Sequence, residues 1–190
     1  DCMAEGIDAE HDIALFIGYH AAAGSEGVLA HTYSSSFTEV RLNGTPVSEA
    51  DVNALQAAAV GVPVGLLTGD NMICAAISQT LPGIETVVVK HAHGYSAASS
   101  VSPAESRRLI SEAAARVVRN AGSFSLPTVP QVLEIEIDLP NAPAAEQAAM
   151  IPNVERTANR TVKLVASSPQ EAIGFVLVCY QFAAAAMRSL

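Results

Sequence analysis

The sequence predicts an α/β fold, with a mostly parallel layered sheet carrying helices on both faces, followed by a smaller α+β subdomain. Two short apolar runs, Ile13–Gly18 and Val62–Leu67, are typical of strands buried on both faces. Segments with helix-start signals alternate with such runs, which favours parallel strands. Beyond about Leu126 the strands change character, so we place the α/β domain at residues 1–125 and the α+β subdomain at residues 126–190.

The elements of the first domain each have a local signal. Phe37–Leu42 alternates polar and apolar residues and runs into Asn43-Gly44, a dipeptide that readily takes positive φ and closes a hairpin. Ser48 and Asp51 form a capping-box start for the next helix. The same signals predict a helix end near Val60, helices over Asp70–Leu81 and from Ser102 to about Asn120, and a strand over Glu85–Lys90.

The second domain begins with a strand that has one wet face. Leu133, Ile135 and Ile137 alternate with acidic residues, which is the period of a half-buried strand. A short Ala-rich helix over 144–150, a strand over Thr161–Val165 and a helix capped by Ser168 complete the prediction.

The final helix is strongly apolar from Ala172 to Met187, but Glu171 and Arg188 bound this run and Gln181 interrupts it. It falls short of the roughly 20 apolar residues that span a bilayer. We therefore expect a core or subunit-interface helix, and no membrane partner.

The net charge and the cysteines indicate which partners and which cellular compartment we expect. Ten Lys and Arg stand against nineteen Asp and Glu, a net charge of -9 that repels polyanions, so nucleic acid is not an expected partner. The three cysteines, Cys2, Cys74 and Cys179, are odd in number and widely spaced. A reducing cytoplasm fits them best.

Three residues are candidates for a functional site, although no local motif joins them. His20 ends a buried strand, where open parallel sheets bind ligands, although the residues alone favour a partly buried imidazole that hydrogen-bonds the backbone. His31 lies in a Ser- and Gly-rich loop and could be either functional or solvated. Glu49 falls in a first helical turn, where the helix dipole favours a carboxylate without any metal.

Two segments carry a family resemblance. The first reads LFIGYHAAAGSEGVLAHTYS, and the second, LNGTPVSEADVNA, follows at matching spacing. Both are similar to motifs of the DppA-type D-aminopeptidases, and the resemblance continues through VPVGLLTGD, ETVVVK, SPAESRRLI and LEIEI.

The resemblance implies a zinc aminopeptidase that hydrolyses short peptides with N-terminal D-amino acids such as D-Ala. It implies a two-zinc centre to which His20 and Glu49 contribute metal ligands, with His31 as the catalytic residue. Lys90 follows a strand and could bind the carboxylate of the D-peptide substrate, whereas His91 and His93 are expected in an exposed loop. The family also implies a homo-oligomeric ring, a decamer.

The resemblance covers only the C-terminal two-thirds of the family fold. The N-terminal Asp-x-Glu pair and first His of the family have no counterpart here. Asp8-Ala9-Glu10 copies the pattern but aligns with a surface segment, so we do not assign it. We therefore expect this chain alone to be poorly active, with the missing ligands on a separate chain, on a cleaved N-terminal fragment or on a preceding part of the same protein. The alternative is a non-catalytic subunit of the same fold that binds small peptides.

Overall fold

The structure is a computed structural model that describes residues 3–188. Cys2 therefore lies outside the described residues. The strands are β1 (Ala14–Tyr19), β2 (Glu39–Leu42), β3 (Thr45–Pro46), β4 (Val64–Asp70), β5 (Glu85–Gly94), β6 (Ala97–Ser100), β7 (Leu133–Asp138), β8 (Glu155–Arg156) and β9 (Thr161–Ala166). The α-helices are α1 (Glu49–Ala59), α2 (Asn71–Thr80), α3 (Pro103–Arg119), α4 (Ala142–Ala148) and α5 (Pro169–Arg188).

The first sheet has the order β1-β4-β5-β6, with β1, β4 and β5 parallel and β6 antiparallel. Helices α1 and α2 contribute to the core against one face, and α3 covers the other face through Ala113 and Val117. Every residue of β4 is buried. The predicted mostly parallel sheet with helices on both faces is therefore confirmed.

Strand β1 departs from one detail of the prediction. Phe16 and Tyr19 are buried, but Ile17 is 53% exposed, so burial on both faces is wrong at this position. The reason is that α3, which covers the face of β1 that Leu15 and Ile17 share, packs mainly against β4 and β5.

The second sheet is antiparallel, in the order β3-β2-β7-β9-β8. Its core face packs on α4 and α5, and β7 alternates buried and half-buried residues as predicted. On the other face, Arg41 of β2 contacts Glu136 and Asp138 of β7. Strands β2 and β3 belong to this sheet, so residues 39–46 pair with strands that lie beyond residue 126 in the chain. The domain boundary between residues 125 and 126 stays a prediction.

The turn and cap predicted between β2 and α1 are both present. Asn43 and Gly44 have φ values of 49° and 77°, and Leu42 pairs with Thr45 across this two-residue turn. Ser48 caps α1, and its side chain and that of Asp51 form the reciprocal capping box. This cap fixes the first turn of α1, where Glu49 lies.

The region after Lys90 differs from the prediction. Instead of an exposed loop, His91 and His93 continue β5, which forms a hairpin with the exposed strand β6. Both histidines are exposed, as expected. The hairpin was missed because Ala97–Ser100 contains only alanine and serine, without the β-branched or aromatic residues that signal a strand.

Helix α5 is a core helix, since seven of its residues, including Val176 and Cys179, are buried against the second sheet, in what we call the second core. None of the helices in residues 3–188 combines the length and apolarity that a bilayer crossing requires. Cys74 and Cys179 are buried free thiols, and burial raises the pKa of the Cys74 thiol to about 11.

Candidate metal and catalytic site

The candidate site lies beyond the carboxyl ends of β1 and β4. The segment from His20 to Thr38 leaves β1, crosses this edge of the first sheet and enters β2 of the second sheet. Buried Thr32 holds the segment in place, because its hydroxyl accepts from the Ala23 N–H and donates to the Val47 carbonyl, each at 3.0 Å. The segment is therefore pinned to both the start of the loop and the entrance to α1.

His20 has a ring orientation fixed by the backbone. Its Nδ1 lies 2.7 Å from the Val28 carbonyl oxygen. Because a carbonyl oxygen only accepts hydrogen bonds, Nδ1 carries the proton and the neutral ring presents Nε2 as a free lone pair. Such a bond to Nδ1 is how metal-binding histidines are commonly oriented.

The ring of His31 is oriented in the same way, by the carbonyl group of Leu29, which directly follows Val28 in the chain. Its Nδ1 lies 2.7 Å from the Leu29 carbonyl oxygen, so its Nε2 also remains unprotonated in the neutral ring. Leu29 has a φ of 52°, in the left-handed region that non-glycine residues rarely adopt. Backbone strain of this kind is concentrated at functional sites.

Glu49 occupies the first turn of α1 and is 6% exposed. Burial raises the pKa of its carboxyl group, and the nearby imidazoles of His31 and His20 and the Tyr33 N–H oppose that rise. A buried carboxylate requires compensating positive charge or hydrogen bonds. The pocket around Glu49 therefore favours a cation.

The three side chains converge. His31 Nε2 lies 3.5 Å from Glu49 Oε2, and the rings of His20 and His31 have centroids 5.0 Å apart. The His31 side chain is 27% exposed whereas that of Glu49 is 8% exposed. His31 therefore stands between the buried carboxylate and solvent.

An open cleft begins at His31 and has a volume of about 580 Å³. It is lined by Leu29, His31 and residues 33–36 of the loop, together with Tyr95 of the β5–β6 hairpin and Tyr180 of α5. The cleft thus joins elements of both sheets beside the imidazole of His31.

The donors of this site fit a zinc ion, because imidazole nitrogens and carboxylate oxygens are usual zinc ligands and the neutral ring of His20 presents an unprotonated Nε2. No group of three or more His, Cys, Asp or Glu side chains within residues 3–188 is arranged to enclose a metal ion by itself.

The other candidates lie elsewhere. Lys90 is a half-buried residue of β5, in register with Asp70 and Ser100, and it is not among the described residues that line the cleft. His93 Nε2 contacts the Ser99 hydroxyl on the exposed hairpin. His11 pairs with Asp8 at the surface, 2.9 Å away.

Sequence reasoning missed the residues that hold this site together. Asn53, one helical turn after Glu49, donates to the Tyr19 hydroxyl and accepts from the Tyr33 hydroxyl. Its spacing of four residues from Glu49 places both on one face of α1, a signal that could have found it. Asp70 caps α2 and also accepts from the Val28 N–H at 2.7 Å.

Comparison with known proteins gives consistent matches. The sequence matches the D-aminopeptidase peptidase family over residues 1–178. A D-aminopeptidase of Bacillus subtilis (strain 168) is 32% identical over 182 residues, which are 95% of this chain and 66% of the relative.

Among solved structures, the fold is similar to the Zn-dependent D-aminopeptidase DppA from Bacillus subtilis, described as a self-compartmentalizing protease. The TM-score is 0.90 at 32% identity, covering 95% of this chain and 66% of that one. This chain therefore spans slightly less than two thirds of the length of the relatives it matches.

Proposed function

Because the chain belongs to the D-aminopeptidase family, we propose that it forms the catalytic side of a zinc-dependent aminopeptidase that hydrolyses short peptides with N-terminal D-amino acids, of the D-Ala type. The observation that carries the proposal is the convergence of His20, His31 and Glu49, of which His31 lines the cleft. In this assignment His20 and Glu49 are metal ligands and His31 is the catalytic residue.

The burial of Glu49 and the orientation of the His20 ring support the assignment of both residues as metal ligands. Glu49 is buried and its pocket favours a cation, so it suits a ligand. His20 is held by Val28 with Nε2 free. When bound, zinc lowers the pKa of a water toward ~7 and polarises the scissile carbonyl. Two zinc ions per complete subunit are expected from the family.

His31 is the residue that meets both the cleft and the carboxylate. With Nδ1 committed to Leu29, its Nε2 is able to accept a proton as the nucleophile attacks the peptide carbonyl and to deliver it to the departing amine. The 3.5 Å contact with Glu49 stabilises the imidazolium that exists between those two transfers.

The peptide would occupy the cleft of about 580 Å³, a size suited to a short peptide. Hydroxyls of Ser34, Ser35 and Ser36 lie along it and are able to hydrogen-bond a peptide backbone. Lys90 remains a weaker proposal for binding the substrate carboxylate, because it is absent from the lining formed by the described residues.

We also propose a homo-oligomer, a decameric ring as in the family, in the cytoplasm. The solved relative is described as self-compartmentalizing. Val178 and Tyr180 leave apolar surface of α5 exposed, by 43% and 40%. Two buried free thiols suit a reducing compartment. The mass of the full-length protein measured by light scattering tests the assembly.

The test of function is release of D-alanine from D-Ala-D-Ala by the full-length protein, with L-Ala-L-Ala as the stereochemical control. His31→Ala should lower kcat roughly 100-fold or more at unchanged zinc content. His20→Ala and Glu49→Gln should lower zinc content itself. His11→Ala, a surface histidine remote from the cleft, is the matched control and should change neither.

Two outcomes would contradict this assignment. Full turnover in His31→Ala with zinc retained would remove its catalytic role. Full-length protein that binds no zinc and releases no D-alanine, yet binds the dipeptide, would instead support a non-catalytic peptide-binding subunit.

A further inference from the structure

Two consecutive loop residues supply the partners of both site imidazoles. The Val28 carbonyl accepts from His20 Nδ1 and the Leu29 carbonyl accepts from His31 Nδ1, each at 2.7 Å. The positive φ of Leu29 turns the backbone between them. A shift of this dipeptide therefore moves both rings together.

The N–H groups of the same two residues anchor the dipeptide to the first sheet. Val28 donates to Asp70 Oδ2 at 2.7 Å, and Leu29 donates to the Tyr95 carbonyl at 2.8 Å. Asp70 is the last residue of β4 and is 0% exposed. Of the two anchors, only Asp70 acts through a side chain that substitution is able to remove.

The two oxygens of Asp70 have separate tasks. Oδ1 accepts from the Met72 and Ile73 N–H groups and so caps α2. Oδ2 reaches Val28, 42 positions earlier in the chain, which helix capping does not require. A carboxylate is needed for both, because an amide presents only one acceptor atom.

Gly27 allows this close approach. A Cβ at this position would lie 2.6 Å from the Ala21 Cβ and 3.3 Å from Asp70 Oδ2. A side chain there would push the loop away from Asp70. The absence of a side chain at Gly27 therefore helps to keep Val28 within hydrogen-bonding distance of Asp70.

We propose that Asp70 is a positioning residue that sets the tautomer and orientation of His20, and through the adjoining Leu29 also of His31. This proposal rests on the proposed zinc-dependent function for its purpose, but the geometry it predicts is measurable without zinc. Asp70 touches neither substrate nor metal in this assignment, and it acts only through the backbone of Val28.

The discriminating variant is Asp70→Asn. Asparagine is as good an N-cap as aspartate, and the orientation that keeps two hydrogen bonds to α2 is favoured over the one that keeps one. The Nδ2 amide of the asparagine then faces the Val28 N–H, and two donors cannot hydrogen-bond each other. The contact with Val28 is therefore lost while the cap on α2 is kept. Ser102→Ala, which removes the N-cap of the remote helix α3, is the control for loss of helix stability.

The primary measurement is ¹⁵N NMR of the histidine rings in zinc-free full-length protein, about two pH units above the ordinary histidine pKa of ~6.5. In the unsubstituted protein both rings should be in the Nδ1–H tautomer. In Asp70→Asn, His20 should become a mixture of tautomers, and zinc affinity measured by chelator competition should fall roughly 10-fold. Ser102→Ala should leave both readouts unchanged.

If Asp70→Asn fails to fold, Gly27→Ala takes its place, since it leaves the cap on α2 in place and displaces the loop. It should change the His20 tautomer in the same way. An Nε2–H tautomer for His20 in the unsubstituted protein overturns the proposal, as does an unchanged tautomer in whichever variant folds. Absence of zinc binding in the unsubstituted protein counts against the proposed function alone, because the ring NMR still tests the positioning.

Discussion

Replacing Asn53 with alanine tests whether one buried side chain ties together the three segments that carry the site. Asn53 lies on α1 with Glu49, and it bonds Tyr19, which precedes His20, at 3.0 Å. It also bonds Tyr33 of the His31 loop at 2.8 Å, and it is 0% exposed.

The expected loss is about 2–4 kcal/mol in the free energy of unfolding. Each neutral hydrogen bond contributes about 0.5–1.5 kcal/mol net, and removing this partner from the hydroxyl of buried Tyr19 adds to that figure. Urea unfolding in the presence of a chelator measures the loss, because bound metal would otherwise raise apparent stability. The slope of the transition should stay constant, so that the change is one of stability.

Gln79→Ala is the matched control, since Gln79 is an exposed residue of α2 and its loss should change stability by less than about 0.5 kcal/mol. A double-mutant cycle of Asn53→Ala with Tyr33→Phe should return a coupling energy of at least about 0.5 kcal/mol. A loss below about 1 kcal/mol for Asn53→Ala, or zero coupling, would mean that the bonds do not tie the segments together.

Three further substitutions test the two sheets. Arg41→Met leaves its carboxylate partners facing one another and should cost about 1–2 kcal/mol at neutral pH. Arg41 also holds the pKa of Asp138 below its ordinary value of 3.8, so this stabilisation is present above that pH and is lost as pH falls through the lowered pKa. Urea midpoints of the two proteins should therefore converge in acid, and a constant difference would contradict the ion-pair explanation. Ile135→Ala removes a side chain with 0% exposure from the second core and should cost about 2–5 kcal/mol by denaturant unfolding, whereas a cost under 1 kcal/mol would show a poorly packed core. Gly69→Ala brings a Cβ within 2.4 Å of an Ile73 methyl group and 2.6 Å of the Tyr19 carbonyl, so it should lower stability by about 1–3 kcal/mol, while Gly174→Ala in α5, where the Cβ meets open space, should be neutral or stabilising.

Local chemistry was enough to predict most of the fold. The Asn43-Gly44 turn and the cap at Ser48 are set by neighbours in the chain, and the sequence shows those neighbours directly. The alternation of Leu133–Asp138 likewise requires one wet and one dry face. The exposure of Ile17 could not be predicted because it depends on where α3 packs on the sheet, and the apolar run itself does not indicate that.

The candidate site was less accessible to sequence reasoning. Spacing alone left His20, His31 and Glu49 without any link, and family resemblance joined them into one hypothesis. Their proximity arises from contacts between distant parts of the chain, such as the 3.5 Å approach of His31 to Glu49. The hydrogen bond from the Val28 N–H to Asp70 Oδ2 could not be predicted for the same reason, because Val28 lies in a distant segment of the chain.

The path of the chain through both sheets sets an order on events during synthesis. The loop that carries His31 ends at Thr38, whose N–H donates to the Asp138 carbonyl at 2.9 Å, 100 positions later. A ribosome adding roughly 5–20 residues per second takes on the order of 5–20 s to supply that partner. Until Asp138 emerges, Thr38 lacks this partner, so the link between the end of the His31 loop and β7 forms only after most of this sequence has been translated.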